Sequence, residues 1–385
     1  MKNKRIPFGT LTIGQEARDN IQDCIDRNYV TMGEMTAKFE EEFSSTMSKT
    51  KVTFNTVACN SGTSAVTMAC LALYERGADR GDYVIVPGLS FIATATAVSA
   101  AGFEPLFVDI DRETLNINTN HINKSINNKL AGIIGVNTMG KPCDVADLRQ
   151  YAAQYNVPLI IDNCEGHGCE AWDRRMEQYA DMCCYSFYPA HAIVAGEMGA
   201  VTTYDDGLTN VLRSIRNHGR ELHDYNFNHV RMGGNFKPVD LVAAIGLEGI
   251  HNFNGNFIKR KNIVRQMRQE LSPLEDFVYF SEEEEGSHTN CPHAFSVVLK
   301  SPTTFNIEIL KKTLTNAGIE WKSNFGVIPN HGAFKYSESN VRYISKNLPN
   351  SLYAGKYGLH WGCHQSQTTD DTSYVCDTVK GFFGV

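Results

Sequence analysis

The 385-residue chain contains no G-x-S-x-G elbow, no Walker A loop, no G-x-G-x-x-G fingerprint and no H-E-x-x-H pair. The short signatures of serine hydrolases, P-loop NTPases, dinucleotide-binding dehydrogenases and zinc peptidases are therefore all missing. Positive charge is not in surplus either, since 36 Lys and Arg stand against 43 Asp and Glu, a net charge of -7. That balance argues against nucleic-acid binding through a global positive field and leaves any anionic ligand to be caught locally. Eleven cysteines occur without one C-x-x-C spacing, so no zinc ribbon or redox dithiol is expected, and the odd, scattered set reads as reduced thiols of a cytoplasmic protein. Pro7, Gly9 and Gly14 interrupt the region where an export signal needs an unbroken apolar run. The longest stretch without a charge, Tyr83 to Phe103, has the length of a membrane span. Its Pro87-Gly88 and its wealth of Ala, Thr and Ser predict instead a buried strand, a turn and a packed helix.

What is present is a large globular chain, 42% hydrophobic and 21% charged, long enough for more than one domain at about 100–200 residues each. Tyr83–Val86, Leu106–Asp109, Gly132–Val136 and Leu159–Asp162 are short continuous apolar runs separated by helix-length segments. This alternation predicts strands buried on both faces in a mostly parallel α/β sheet. Met182–Phe187 and Gly199–Tyr204 add two further strands. Near Gly246–Asn256 the pattern changes, which predicts a large domain over residues 1–248, including an amino-terminal arm, and a smaller α/β domain over 249–385. The acidic run Glu282–Glu285 reads as a solvated loop.

Three segments carry candidate chemistry. Asn60-Ser61-Gly62-Thr63-Ser64-Ala65 precedes a helical stretch; the free N–H groups and dipole of a helix start suit a phosphate, and an ordinary N-cap suits the same residues equally well. Asp162 closes an apolar strand, at the edge where open α/β sheets bind ligands. There it can hold a pyridine nitrogen protonated or merely cap a turn. His191 ends Tyr185-Ser186-Phe187-Tyr188-Pro189-Ala190-His191, following a strand at that same edge, where an imidazole suits proton transfer.

These segments resemble, in order and spacing, the DegT/DnrJ family of vitamin B6-dependent sugar-nucleotide aminotransferases, of the aspartate aminotransferase fold type (fold type I). The resemblance covers nearly the whole chain and is also carried by Pro87 with Ser90–Thr94, Phe107–Asp111, Gly140–Asp144, Asp162–Gly166 and Gly234–Lys237 to Gly246. It implies that Gly62, Thr63 and Ser186 hold the cofactor phosphate, completed by Asn235 from the neighbouring subunit of a homodimer. Phe91 would stack on the pyridine ring, Asp162 would pair with its nitrogen, and Glu165 would stand where similar dehydratases keep an acidic residue.

At His191 the chain departs from the family's aminotransferases, which carry there the lysine that binds pyridoxal phosphate covalently. Within the family a histidine after Ser-Phe-x-Pro-Ala marks the 3-dehydratase branch. The resemblance therefore implies non-covalent pyridoxamine or pyridoxal phosphate, with His191 as base and then acid in removing the C3 hydroxyl of a nucleotide-linked 4-keto-6-deoxyhexose. The expected substrate is GDP-4-keto-6-deoxy-D-mannose, in deoxysugar and lipopolysaccharide O-antigen synthesis, with glutamate restoring the cofactor's amine. A related subgroup binds an iron-sulfur cluster through cysteines downstream of the histidine; this chain has none between Cys184 and Cys291, so no cluster is expected. Ala192 occupies a position where such dehydratases often have a second histidine. Arg216, Arg220, Arg231 and Lys237 are candidates to meet a phosphate or the glutamate carboxylate. Lys141 and Lys237 are not expected to replace the missing lysine. The competing readings are an aminotransferase-like enzyme and a noncatalytic ligand-binding protein; neither a membrane nor a nucleic acid is an expected partner.

Overall fold

The computed structural model describes residues 4–122, 129–222, 226–280, 286–334 and 348–385. The acidic run 282–285 and His223, Asp224 and Tyr225 lie outside the described residues. In chain order the elements are α1 (Gln15–Asp26), α2 (Glu34–Met47), β1 (Asn55–Cys59), α3 (Gly62–Ala72), β2 (Tyr83–Pro87), α4 (Ala93–Ala100), β3 (Glu104–Val108), β4 (Leu130–Val136), α5 (Val145–Tyr155) and β5 (Leu159–Asp162). They continue with β6 (Glu170–Ala171), β7 (Arg174–Arg175), β8 (Met182–Ser186), β9 (Gly199–Thr203), α6 (Asp206–Arg216), α7 (Asp240–His251) and α8 (Phe253–Glu270). Then follow β10 (Val278–Phe280), β11 (Ala294–Leu299), α9 (Ile307–Asn316), β12 (Trp321–Ser323), α10 (Pro349–Tyr357), β13 (Gly358–Gly362) and α11 (Thr369–Phe383).

The apolar runs form a seven-stranded sheet in the order β1-β9-β8-β5-β4-β2-β3. From β8 to β3 the neighbours are parallel, whereas β9 is antiparallel to both β1 and β8. Both faces are buried, as the continuous apolar runs require. Ile133 and Ile161 pack on one side with Phe39, Phe43 and Phe187, and Ile134 and Ile160 on the other with Val57, Met68 and Leu212. Burial of each such side chain stabilises the layer by about 1.5–3 kcal/mol. Tyr83–Phe103 is strand β2, a turn and α4, and among the described residues no helix is long and apolar enough to cross a membrane.

A second, antiparallel sheet, β10-β11-β13-β12, packs against α8, α9 and α11 through Phe295, Trp361, Met267, Leu310 and Val375. Helix α7 runs through residues 248 and 249 to His251, and Asn252 separates it from α8. The amino-terminal arm lies along the second sheet: Ile6 N donates to Gly318 O at 2.9 Å and Glu320 N to Ile6 O at 2.9 Å. Asp109, buried beside β3, accepts from Asn350 N, Ser351 N and Ser351 Oγ, and so caps α10. Asp109, a carrier of the resemblance, thus ties the two sheets together. All eleven cysteines are free, ten of them buried and Cys164 half-buried.

Candidate active site

The parallel strands deliver their carboxyl ends to one edge, where β5 and β8 are neighbours and Asp162 stands opposite Cys184. Ser186 ends β8 beside the start of α3, and the contact is so close that a Cβ on Gly62 would lie 2.6 Å from Ser186 Cβ. Gly199, paired with Ser186, leaves similar room, because a Cβ there would lie 2.3 Å from Ser61 O. Ser61 is the N-cap of α3, its Oγ accepting from Ser64 N at 3.1 Å. Of the two readings of this segment, the capping role falls to Ser61. Gly62, beside Ser186, and the exposed Thr63 form the amide-bearing start of α3.

Asp162 is buried; its Oδ2 accepts from Thr94 Oγ1 at 2.8 Å and its Oδ1 from Cys164 N at 3.3 Å. Two donors of this kind fix the carboxylate's plane without neutralising it. Phe91, one turn before Thr94, is 59% exposed. Asn235 is exposed, and its carbonyl accepts from Asn60 Nδ2 of the same chain at 3.3 Å.

Glu165 reaches the other side of the turn, its Oε2 accepting from Met139 N at 2.6 Å. Burial pushes its carboxyl up to about 7, so it exchanges a proton near neutrality. Met139 also accepts, through its carbonyl, from His293 N at 3.2 Å. The next residue, Gly140, has φ +81°, and a Cβ on it would collide with Cys291 O. The Gly140–Asp144 motif therefore brings the segment that leads into β11 against Glu165, with His293 Nε2 at 3.5 Å from Glu165 Oε1.

His191 lies between two more imidazoles. Its ring centroid is 5.6 Å from that of His167 and 4.9 Å from that of His293. Nδ1 of His191 is buried without a hydrogen-bond partner, and so is Nδ1 of His293. His167 has both nitrogens engaged: Nδ1 accepts from Ile193 N at 3.3 Å, so Nε2 carries the proton donated to Ser186 O at 2.8 Å. Burial pushes His167 down to about 3 and holds His191 and His293 well below the ordinary imidazole range. His191 is thus an uncharged base in a desolvated place. His167 and His293 were not singled out by sequence. The only local signal for His167 is its place between two glycines, and His293 has none, because the turn at Met139–Gly140 brings it in from far along the chain.

The basic candidates fare differently. Arg216 Nη1 binds Glu40 Oε1 at 2.5 Å and Ala58 O at 2.8 Å in the interior, and Arg231 pairs with Glu75 at 3.0 Å. Both are engaged by this chain's own carboxylates and are set aside as anion-binding groups. Arg220 stacks over Phe227, and Lys237 donates to Asn217 Oδ1 at 3.3 Å. A cation not among these candidates, Lys322 on β12, lies 4.2 Å above the ring of Phe8, which in turn packs edgewise on His293 at 5.9 Å.

Taken together, the cradle at Gly62 and Ser186, the hydroxyls at the start of α3, the fixed carboxylate of Asp162 and the unpartnered His191 Nδ1 fit a phosphorylated pyridine with a reactive substituent. No group of three or more His, Cys, Asp or Glu among the described residues is arranged to hold a metal ion.

Comparison with known proteins places the chain in a family. The model of the DegT/DnrJ/EryC1/StrS aminotransferase family matches residues 11–380. The chain is 27% identical to the GDP-4-keto-6-deoxy-D-mannose 3-dehydratase of Yersinia pseudotuberculosis, over 97% of this chain and 98% of that one. It is equally 27% identical to the GDP-perosamine synthase of Escherichia coli O157:H7, over 99% of both. The E. coli GDP-4-keto-6-deoxy-D-mannose-3-dehydratase with bound hydrated PLP superposes with a TM-score of 0.84 at 22% identity, over 98% of this chain and 99% of that one.

Proposed function

The chain belongs to the DegT/DnrJ/EryC1/StrS aminotransferase family, pyridoxal phosphate-dependent enzymes acting on sugar nucleotides, and on that premise we propose that it is a 3-dehydratase. It removes the C3 hydroxyl of a nucleotide-linked 4-keto-6-deoxyhexose, GDP-4-keto-6-deoxy-D-mannose being the substrate we favour, in a homodimer that uses glutamate as amine donor. The observation that carries this reading is His191, an uncharged, buried imidazole at the position where amine-transferring relatives need lysine.

Gly62, Thr63 and Ser186 hold the cofactor phosphate, with Asn235 from the partner subunit, Phe91 covers the ring face and Asp162 binds the ring nitrogen. When bound, the cofactor supplies its own primary amine and an electron-accepting ring. His191 takes up a proton on a free ring nitrogen, Nδ1 being buried and without a partner. As imidazolium it then delivers that proton to the departing C3 oxygen. Held well below its ordinary pKa by burial, it gives the proton up readily, which suits a group that must act twice. Glu165, half-protonated near neutrality, with His293 beside it, takes part in the same exchange.

A second reading, amine transfer, is favoured by Lys322. Partial burial lowers its pKa, which favours the uncharged amine that can act as a nucleophile, and it stands beside Phe8 at the edge of the imidazole cluster. The test is to incubate the protein with pyridoxamine phosphate, glutamate and GDP-4-keto-6-deoxymannose, weigh the sugar nucleotide and assay ammonia. Loss of one oxygen with release of ammonia supports dehydration; an aminated sugar sinks it. Borohydride reduction in the presence of pyridoxal phosphate, with peptide mapping, shows whether Lys322 ever bonds the cofactor.

A further inference from the structure

Arg260, on α8, is fully buried at 0% exposure, and no carboxylate lies within salt-bridge distance of it among the described residues. A guanidinium has five N–H donors in a fixed fork, and here all five find an oxygen. Nη2 donates to Ala190 O at 3.1 Å and His191 O at 2.8 Å, and Nη1 to Pro292 O at 3.1 Å and His293 O at 3.4 Å. Nε donates to Gln365 Oε1 at 3.1 Å. Burying a cation on carbonyls alone costs several kcal/mol of desolvation, so stability is a weak reason for it. What the fork does is join two chain segments far apart in sequence, each ending in one of the two imidazoles that face each other at 4.9 Å.

We propose that Arg260 is a positioning residue for the acid–base chemistry of the site, clamping the backbones of His191 and His293 so that their rings stand at a fixed separation. The proposal deepens the functional reading above and rests on it for the role of His191. A second consequence follows from charge. His191 is faced by His167, His293, Tyr188, Arg260 and Lys322, and His293 by His191, His360, Arg260, Lys322 and the carboxyl of Glu165. Arg260 is the buried permanent cation in both sets. It therefore opposes protonation of either ring as well as fixing its place.

The two effects separate in two variants. Arg260→Lys keeps a charge but cannot span four carbonyls, whereas Arg260→Met loses both. The glutamate half-reaction with added pyridoxal phosphate, followed by absorbance, reads rate and KM, and NMR of histidine-labelled protein, assigned with His191→Asn and His293→Asn, reads each imidazole's titration. In Arg260→Met we expect kcat about 10- to 100-fold lower with KM for glutamate within about twofold. The titrations of His191 and His293 should move up toward the ordinary 6.5, carrying the acidic limb of the rate profile with them. Arg260→Lys should show an intermediate rate with histidine titrations close to wild type. Unchanged kcat and titrations in a folded Arg260→Met protein overturn the proposal, as does a rate loss that only tracks the loss of folded protein in thermal melts. So does a wild-type protein whose His191 and His293 titrate in the ordinary range, a result that needs no variant. If the wild type turns over no substrate at all, the functional reading fails while the titrations still decide what Arg260 does.

Discussion

Gly62→Ala directly probes the cradle proposed to hold the cofactor phosphate. The new Cβ would sit 2.6 Å from Ser186 Cβ and 3.0 Å from Ser186 Oγ, whereas carbon atoms in contact prefer about 3.5–4.0 Å. Relief requires the start of α3 and the end of β8 to move apart by about 1 Å. Overpacking of this size costs about 1–3 kcal/mol, of which alanine's better helix propensity returns at most about 1 kcal/mol. Stability therefore falls only modestly. The larger effect is on the ligand, since a phosphate that loses one charge-assisted hydrogen bond loses about 1.5–3 kcal/mol, or roughly tenfold to a hundredfold in affinity. Gly255→Ala on α8 is the control, because nothing lies within 4 Å of its added Cβ; it should gain up to about 1 kcal/mol of stability and bind as wild type does. Titration of the apoprotein with pyridoxamine phosphate, followed by absorbance and equilibrium dialysis, measures the affinity, and thermal melts without ligand measure stability. Wild-type affinity in Gly62→Ala would refute the reasoning, because it would mean that the phosphate does not lie between α3 and Ser186.

Three further outcomes are expected. Glu165→Gln should remove a pH dependence of stability: a carboxyl raised from 4.5 to about 7 stabilises the fold below pH 4.5 and loses that contribution as pH rises through 7. Wild type should therefore lose about 3 kcal/mol relative to the variant between pH 4.5 and 8, measured by denaturant titration at a series of pH values. His191→Asn should lower the rate of C3 deoxygenation by about 10²–10⁴-fold at unchanged cofactor affinity, and His191→Lys should shift the product toward retained amine, both read by mass spectrometry. Arg216→Met should destabilise the fold by about 1–3 kcal/mol, because it takes the charged partner from a half-buried Glu40, whose Oε1 keeps only the donor Ala58 N among the described residues; an unfolding midpoint equal to wild type would show that the ion pair contributes nothing.

The strands were legible because a parallel sheet buried on both faces must be apolar at every position, and Leu159-Ile160-Ile161 allows little else. Gly62 and Gly140 were legible only as parts of the motifs that carry the resemblance; that a side chain has no room at either is decided by Ser186 and by Cys291 O, far along the chain. Asp162 and His191 could be picked out because one closes a recognisable strand and the other follows a strand and a proline-containing turn, at the edge where open α/β sheets bind ligands. The roles of Arg216 and Arg231 were not legible, because Glu40 and Glu75, the carboxylates that engage them, lie far away in sequence.

The amino-acid sequence by itself determined the layered α/β architecture, the helix start at Gly62 and the presence of a histidine at position 191 after the Tyr185–Ala190 run, all of which depend on local pattern or on residue identity. Tertiary structure alone decided the surroundings of that histidine. His167 comes to it across a turn, His293 and Lys322 from the second sheet, and Arg260 from a helix of that half. Imidazole basicity depends on which charges and how little water lie nearby, and both are properties of packed neighbours that no stretch of the chain carries on its own.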